Sequence, residues 1–190
     1  MGNTNLSAAE ALEKLKEGNE RYLEAKMNPG DVSPQIRKKT CEEGQLPYAI
    51  VITCSDSRVI PESIFSAGIG ELFVIRVAGN VIDKHQLGSV EYAAGHLGSA
   101  LVVVLGHSHC GAVGAAINSE PSGFVKTITD EIRKAIGDEK DETRACCLNV
   151  KQSVAVIEDN LKIPELDAQG GFKVCGAFYH IDSGKVEFLD

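Results

Sequence analysis

The sequence predicts a single α/β domain, residues 1–190, with a mainly parallel central sheet and helices on both faces. Apolar segments rich in β-branched residues predict strands at Tyr48–Thr53, Glu71–Arg76 and Ala100–Leu105. Segments with helical spacing separate these strands, and this alternation is typical of parallel strands joined by helical crossovers. A chain of 190 residues is long enough to bury a sizeable core without disulfides.

Local signals place the remaining elements. Ser7 and Glu10 form a capping box that opens the first helix, and Gly106 is expected to end the central strand. Phe172–Ile181 and Lys185–Leu189 alternate around a turn and predict a β-hairpin. The helices are predicted at Ser7 to about Lys26, Pro34–Cys41, Pro61–Ala67, Gln86–Leu97, the Ala- and Gly-rich stretch up to Ala116, Thr127–Ile136 and the amphipathic segment from Cys147 to Leu161.

Composition excludes several classes of partner. The formal net charge is −8 and no basic stripe stands out, which argues against nucleic acid and anionic membranes. No apolar run approaches the roughly 20 residues needed to cross a bilayer, and the first residues lack the apolar core of a signal peptide. Six cysteines without a secretion signal favour a reducing compartment, so we expect a cytoplasmic protein.

Cysteine and histidine side chains follow two of the predicted strands. Cys54 stands at the end of the first strand, and His107 and Cys110 form an H-x-x-C pair after the central strand. If these strands are parallel neighbours, the three side chains converge in the crevice where α/β proteins bind ligands. Two thiolates and one imidazole leave a tetrahedral zinc ion one open position, which is typical of a catalytic site. Taken alone, the H-x-x-C pair also fits a buried cysteine beside a capping histidine.

The residues around these ligands suggest further chemistry. Asp56 lies close enough to reach a metal at Cys54, and Arg58 can grip its carboxylate. That carboxylate can accept a hydrogen bond from a zinc-bound hydroxide, or it can fill the fourth metal position. The spacing equally fits a helix-capping Asp56 with a surface arginine. His109 is expected to be a solvated turn residue rather than a proton shuttle. The other cysteines are interpreted as small apolar residues, namely Cys41, Cys146, Cys147 and Cys175.

Four segments of the chain resemble the β-class carbonic anhydrases. They are CSDSR at Cys54–Arg58, IRVAGN at Ile75–Asn80, SVEYAA at Ser89–Ala94 and GHSHCGA at Gly106–Ala112. The resemblance extends from the first helix to the closing hairpin. It implies a parallel sheet extended by an antiparallel strand, a helical arm (residues 1–42) packed on a partner subunit, and an active site at a dimer interface.

The resemblance also implies a role for each site residue. Cys54, His107 and Cys110 become the zinc ligands, and Asp56 with Arg58 the catalytic pair. The remaining positions are Gln45, which binds a bicarbonate oxygen, Gly111, whose N–H lies near the bound anion, and Phe73 and Tyr92, which line a hydrophobic pocket across the interface. The implied activity is reversible hydration of carbon dioxide to bicarbonate and a proton by zinc-bound hydroxide, in a homodimer or a larger homo-oligomer.

Two positions depart from the family pattern. The RNxAN segment of the family is RVAGN here, at Arg76–Asn80, which implies a different pocket lining. Val51 stands where some bicarbonate-inhibited members have tryptophan, which argues against an inhibitory bicarbonate site.

Two other functions compete with carbon dioxide hydration. One is hydrolysis of carbon disulfide or carbonyl sulfide on the same scaffold, for which the ligand set would be unchanged. The other is a non-catalytic zinc- or bicarbonate-binding module closed by Asp56. Gln45, Asp56 and Arg58 argue against such a module, which needs no oriented hydroxide.

Overall fold

The computed structural model describes residues 6–25, 27, 28, 30–164, 166 and 170–189. A 3-10 turn, Ala78–Asn80, lies between the second strand and the fourth helix. In chain order the helices and strands are α1 (Ala8–Glu24), α2 (Pro34–Glu43), β1 (Ala49–Thr53), α3 (Pro61–Ile64), β2 (Leu72–Arg76), α4 (Lys84–Leu97), β3 (Leu101–His107), α5 (Gly111–Asn118), α6 (Gly123–Ile136), α7 (Glu142–Asn160), β4 (Lys173–Tyr179) and β5 (Val186–Leu189).

The strands of the described chain form one five-stranded sheet in the order β2-β1-β3-β4-β5. All neighbours are parallel except β4 and β5, which pair antiparallel. Every residue of β1 and β3 is buried. Because successive side chains of a strand point to opposite faces, both faces of these strands are covered. The predicted fold class, including its antiparallel C-terminal strand, is confirmed.

The central strand is longer than predicted. β3 continues through Gly106 to His107, which pairs with Tyr179 of β4. A Cβ atom on Gly106 would lie 2.5 Å from Cγ2 of Val150 in α7. The glycine therefore allows a helix to approach the sheet closely and does not end the strand.

Several helix boundaries also differ from the sequence-based ones. α3 ends at Ile64 rather than Ala67, and α6 begins at Gly123 rather than Thr127. α7 begins at Glu142, where Asp141 accepts a hydrogen bond from the N–H of Arg144 as its N-cap. The first turn of α7 contains Glu142 and Arg144, so a search for apolar periodicity places the start of that helix too late. Lys26, the predicted end of the first helix, and part of the loop at 164–171 lie outside the described residues.

The inner face of α1 packs on its own chain. Ala8, Ala11 and Leu15 are buried there. Buried Asn19 donates hydrogen bonds to the carbonyl oxygens of Ile64 (3.2 Å) and Gly184 (3.0 Å). Within the described part of the predicted arm, the outer face of α1 and the whole of α2 are available for a partner, and no residue of α2 is buried in this chain. None of the described helices combines the length and apolar character needed to span a membrane.

Candidate metal centre

Three ligand side chains meet where the strand order reverses. β1 connects to β2 on one side and β3 to β4 on the other, which opens a crevice between the carboxyl ends of β1 and β3. Cys54 follows β1, His107 ends β3, and Cys110 is the N-cap of α5. These three buried residues form the ligand triad, whose ligand atoms all lie within 4.8 Å of one another. The predicted convergence on one point is confirmed.

The imidazole of His107 is arranged to bind a cation. Its Nδ1 lies 2.9 Å from the carbonyl oxygen of Ser108. Since a carbonyl only accepts hydrogen bonds, Nδ1 carries the proton and Nε2 keeps its lone pair. Nε2 is buried and has no hydrogen-bond partner within the described part of the chain. A buried nitrogen of this kind is costly unless it has a partner, and a metal in the triad would be that partner.

The two thiols of the triad are electrostatically linked. A hydrogen bond from Cys110 lowers the pKa of Cys54, and contacts with His107 and the backbone lower it further against the effect of burial. The same hydrogen bond, together with burial, raises the pKa of Cys110. The N–H of Gly79 donates to Sγ of Cys54 at 3.3 Å. A thiolate is therefore stabilised at Cys54, and thiolates are the form that binds transition metals.

Asp56 and Arg58 form the pair that their spacing predicted. Nε of Arg58 donates to Oδ1 of Asp56 at 3.0 Å, and Nη2 donates to Oδ2 at 2.7 Å. This two-pronged contact holds the pKa of Asp56 well below its usual range, against the effect of partial burial. The alternative of a helix-capping Asp56 is wrong, because the next helix, α3, has Ile60 as its N-cap.

Arg76 is a site residue for which the sequence alone predicted no role. At the end of β2, its Nε donates to the carbonyl oxygen of Cys54 at 3.2 Å and its Nη2 to that of Asp56 at 2.7 Å. Arg58 also donates to the carbonyl oxygen of His109, at 3.0 Å. The two arginines thus hold the backbone of both ligand-bearing loops. The sequence signal that could have indicated this role is the charged residue at the end of β2, the strand that pairs with β1.

Three predicted site residues lie away from the ligand triad of their own chain. Phe73 pairs with Ile50, four residues before Cys54, which corresponds to about 13 Å along the strand. The rings of Phe73 and Tyr92 are 6.2 Å apart, and Tyr92 is 47% exposed. Exposed Gln45 precedes β1 and therefore lies toward the opposite end of the sheet.

The other predicted positions divide between the site and the surface. Gly111, the first residue of α5, follows Cys110 directly. His109 is exposed, as expected, and has a positive φ of 54°. Burial raises the pKa of Cys146 to about 12 and that of Cys175 to about 11, consistent with inert thiols. Cys41 is exposed, so its interpretation as an apolar packing residue is wrong.

Comparisons with known proteins agree with this geometry. The sequence profile of the family described as "Carbonic anhydrase" matches residues 49–186. Carbonic anhydrase 2 of Mycobacterium tuberculosis is 35% identical, over 100% of this chain and 96% of the relative. The carbonic anhydrase of Mycolicibacterium smegmatis is 38% identical, over 96% of this chain and 94% of the relative.

Solved structures show the same fold. A structure from Sordaria macrospora, one of two described as tetrameric β-carbonic anhydrases, is 31% identical with a TM-score of 0.72, over 83% of this chain and 87% of that chain. The β-carbonic anhydrase CafA of Aspergillus fumigatus is 28% identical with a TM-score of 0.73, over 96% of this chain and 90% of that chain. By sequence, fold and the geometry of its ligand triad, this chain belongs to the β-carbonic anhydrase family.

Proposed function

We propose that this chain catalyses the reversible hydration of carbon dioxide to bicarbonate and a proton, with zinc held by Cys54, His107 and Cys110. The observation that carries the proposal is the buried ligand triad, in which Nε2 of His107 has no hydrogen-bond partner among the described residues. The relatives described above are named carbonic anhydrases, so hydrolysis of carbon disulfide or carbonyl sulfide is not favoured.

The donor set suits zinc. Two thiolates and one imidazole bind it readily and leave a fourth position for a small molecule. Zinc bound in such a site makes water acidic enough to yield a nucleophile near neutral pH, a property for which carbonic anhydrases are the standard example. The chain itself must then orient the attacking oxygen and stabilise the product anion, while the released proton passes to buffer in the solvent.

Asp56 is the residue placed to orient the attacking oxygen. Its Oδ1 accepts hydrogen bonds from the backbone N–H and the Nε of Arg58, whereas Oδ2 accepts one from Nη2. A carboxylate oxygen has two lone-pair sites, so Oδ2 retains acceptor capacity. Because Arg58 keeps the carboxylate ionised, Oδ2 can accept a hydrogen bond from the nucleophile and fix the direction of its lone pair.

The amino end of α5 supplies stabilisation for the product. Gly111 is the first residue of this eight-residue helix, and the first N–H groups of a helix have no partner within it. The helix dipole adds partial positive charge at the same end. We therefore assign the Gly111 N–H to the negative charge that develops on bicarbonate.

A second copy of the chain completes the site in this proposal. Gln45, Phe73 and Tyr92 lie too far along the sheet to reach the ligand triad of their own chain. They lie on the side of β2, which is an edge strand of the sheet, where exposed Leu46 adds apolar surface. We therefore infer at least a homodimer in which these residues serve the partner's carbon dioxide pocket. The tetrameric enzymes from Sordaria macrospora support such assembly.

We also propose a cytoplasmic location. All six cysteines are free in the structure, as expected of a protein from a reducing compartment.

Metal analysis and stopped-flow carbon dioxide hydration test the proposed function together. Wild type should bind about one zinc ion per chain and hydrate carbon dioxide. Cys54→Ser and His107→Ala should lose both metal and activity, because each removes a ligand. The matched control, Cys175→Ser, changes a thiol of β4 outside the ligand triad and should keep both. Zinc-loaded wild type without hydration activity would refute the proposal.

A further inference from the structure

Two buried polar side chains of α7 hold the Ala78–Asn80 turn. Nδ2 of Asn149 donates to the carbonyl oxygen of Gly79 at 2.7 Å, and Oγ of Ser153 donates to that of Asn80 at 3.0 Å. Asn149 and Ser153 are each 3% exposed. Four residues apart, they lie on the same face of the helix. Neither side chain is among the ligands or the catalytic pair.

The turn that they hold has two consecutive residues in the left-handed backbone region. Gly79 and Asn80 both have positive φ angles, 68° and 45°. A side chain at position 79 would be blocked as well, since a Cβ there would lie 2.8 Å from Cδ1 of Ile132 and 3.1 Å from Cβ of Ala112. Glycine adopts this region freely, but Asn80 has a side chain, and a non-glycine residue there persists where the surroundings impose it. The hydrogen bonds from α7 are such a restraint.

The same turn contacts a metal ligand. The Gly79 N–H that donates to Sγ of Cys54 at 3.3 Å belongs to the residue whose carbonyl Asn149 holds. Orientation of this N–H depends on the turn, and the turn depends on α7. Hydrogen-bonding groups behind a metal ligand orient it and adjust its electron density.

We propose that Asn149 is a positioning residue for the Cys54 thiolate. It fixes the Ala78–Asn80 turn so that the Gly79 N–H points at Sγ, and Ser153 supports the same turn. This inference rests on the proposed zinc site. Without Asn149, the turn relaxes, the N–H···S hydrogen bond lengthens, and the Cys54 sulfur is both less ordered and more electron-rich.

Metal affinity and the spectrum of the cobalt-substituted protein test this role. In Asn149→Leu, which removes the donor at a similar volume, the zinc dissociation constant should rise about tenfold by chelator competition. The thiolate-to-cobalt charge-transfer band in the near ultraviolet should also shift. Ser99→Ala is the matched control, because it removes another buried side-chain donor, to the carbonyl oxygen of Pro47 (2.6 Å), at the opposite end of the sheet. It should lower the melting temperature without changing affinity or band position.

A folded Asn149→Leu with wild-type affinity and band position would overturn the inference, even if its melting temperature fell. Asn149→Ser, whose hydroxyl is too short to reach the turn, gives a second variant with the same expected result. If neither variant folds, cadmium-substituted wild type decides: a scalar coupling between the metal and the Gly79 amide proton supports the hydrogen bond, and its absence overturns the inference. Wild type that binds no zinc would overturn the inference and the proposed function together. Metal-bound wild type that does not hydrate carbon dioxide would overturn the proposed function alone.

Discussion

Asp56 is held at both its side chain and its backbone. Arg58 contacts both carboxylate oxygens, and Arg76 donates to the backbone carbonyl at 2.7 Å. The Asp56 side chain is 17% exposed and that of Arg58 49% exposed, so solvent weakens the ion pair. Its importance at this site is therefore geometric, because a carboxylate fixed by a planar guanidinium presents its free lone pair in one direction.

Replacing the Asp56 carboxylate tests its role in orienting the nucleophile separately from zinc binding. Asp56→Asn should lower kcat/KM for carbon dioxide about 100-fold, because an amide is a poor acceptor and its NH₂ group faces the donors of Arg58. Zinc content should stay at the wild-type level, since Asp56 is outside the ligand triad. Asp130→Asn, which changes a carboxylate on the surface of α6, should leave activity unchanged. Asp56→Asn with full activity would show that the carboxylate plays no part in turnover.

The metal ligands could be predicted from the sequence, whereas contacts that involve the backbone of a distant segment could not. Cys54 and His107 follow apolar runs and Cys110 lies three residues further on, so the predicted strands bring the three together once β1 and β3 are parallel neighbours. Arg76 and Gly79 act on a carbonyl oxygen and a sulfur more than 20 residues away in sequence. No local pattern encodes such contacts, because they exist only once β1 and β2 lie side by side.

The packing of α1 against α3 depends on a missing side chain. A Cβ atom at Gly18 would lie 2.1 Å from the carbonyl oxygen of Phe65. Ser66, next to it, donates from Oγ to the carbonyl oxygen of Gly18 at 2.8 Å. The two backbones therefore touch, and the capping box and apolar spacing of α1 gave no indication of this contact. Gly106 in β3 is a second example. Its local sequence predicts the end of a strand, but the strand continues, and the packing of α7 requires a small residue there.

Two glycine substitutions in helices should have opposite effects on stability. Gly18→Ala should lower the free energy of unfolding by about 2 kcal/mol or more, because the backbone of residue 65 must move. Gly88→Ala in α4, where nothing lies within 4 Å of the added Cβ, should raise it by about 0.5–1 kcal/mol through helix propensity. Denaturant unfolding measures both. Similar stability of the two variants would contradict the close contact at Gly18.

The stability that the contact between α1 and the start of β2 contributes should depend on pH. Partial burial raises the pKa of Glu71, but the N–H of Gly68 and the ammonium of Lys14, at 2.7 and 2.9 Å, together lower it below the ordinary value of 4.5. A carboxyl whose pKa is lower in the folded state stabilises the protein above its unfolded-state pKa, and that contribution is lost as the pH falls through the folded-state pKa.

Glu71→Gln should therefore be less stable than wild type at pH 7, by about 1 kcal/mol or less for a half-exposed ion pair. The difference should shrink as the pH falls below 4.5. Urea unfolding at several pH values measures it. Glu20→Gln, at an exposed position of α1, is the matched control. A difference that grows on acidification would show that the sign of the Glu71 pKa shift is wrong.

At the scale of the whole molecule, the proposed dimer divides each site between two chains. The ligand triad lies at the carboxyl ends of β1 and β3, whereas Phe73 and Gln45 lie toward the amino ends of β1 and β2. Fold and ligand triad could be predicted from local patterns within the chain. The assembly was implied only by the family resemblance, because the residues proposed for the pocket must be completed by a surface of another copy.

This division predicts that two defective chains can restore each other. Gln45→Ala removes a residue that each chain supplies to its partner's site. Asp56→Asn alters the site at the chain's own ligand triad. A mixed dimer then holds one site with both defects and one intact site, built from the ligand triad and Asp56 of one chain and the Gln45 of the other. Random pairing makes half of the dimers mixed, so coexpression should recover about a quarter of wild-type carbon dioxide hydration per chain. The measurement uses differently tagged chains and stopped-flow assays, with each homodimer as its own control. If the purified mixed dimer is no more active than the two parents, Gln45 does not act across the interface.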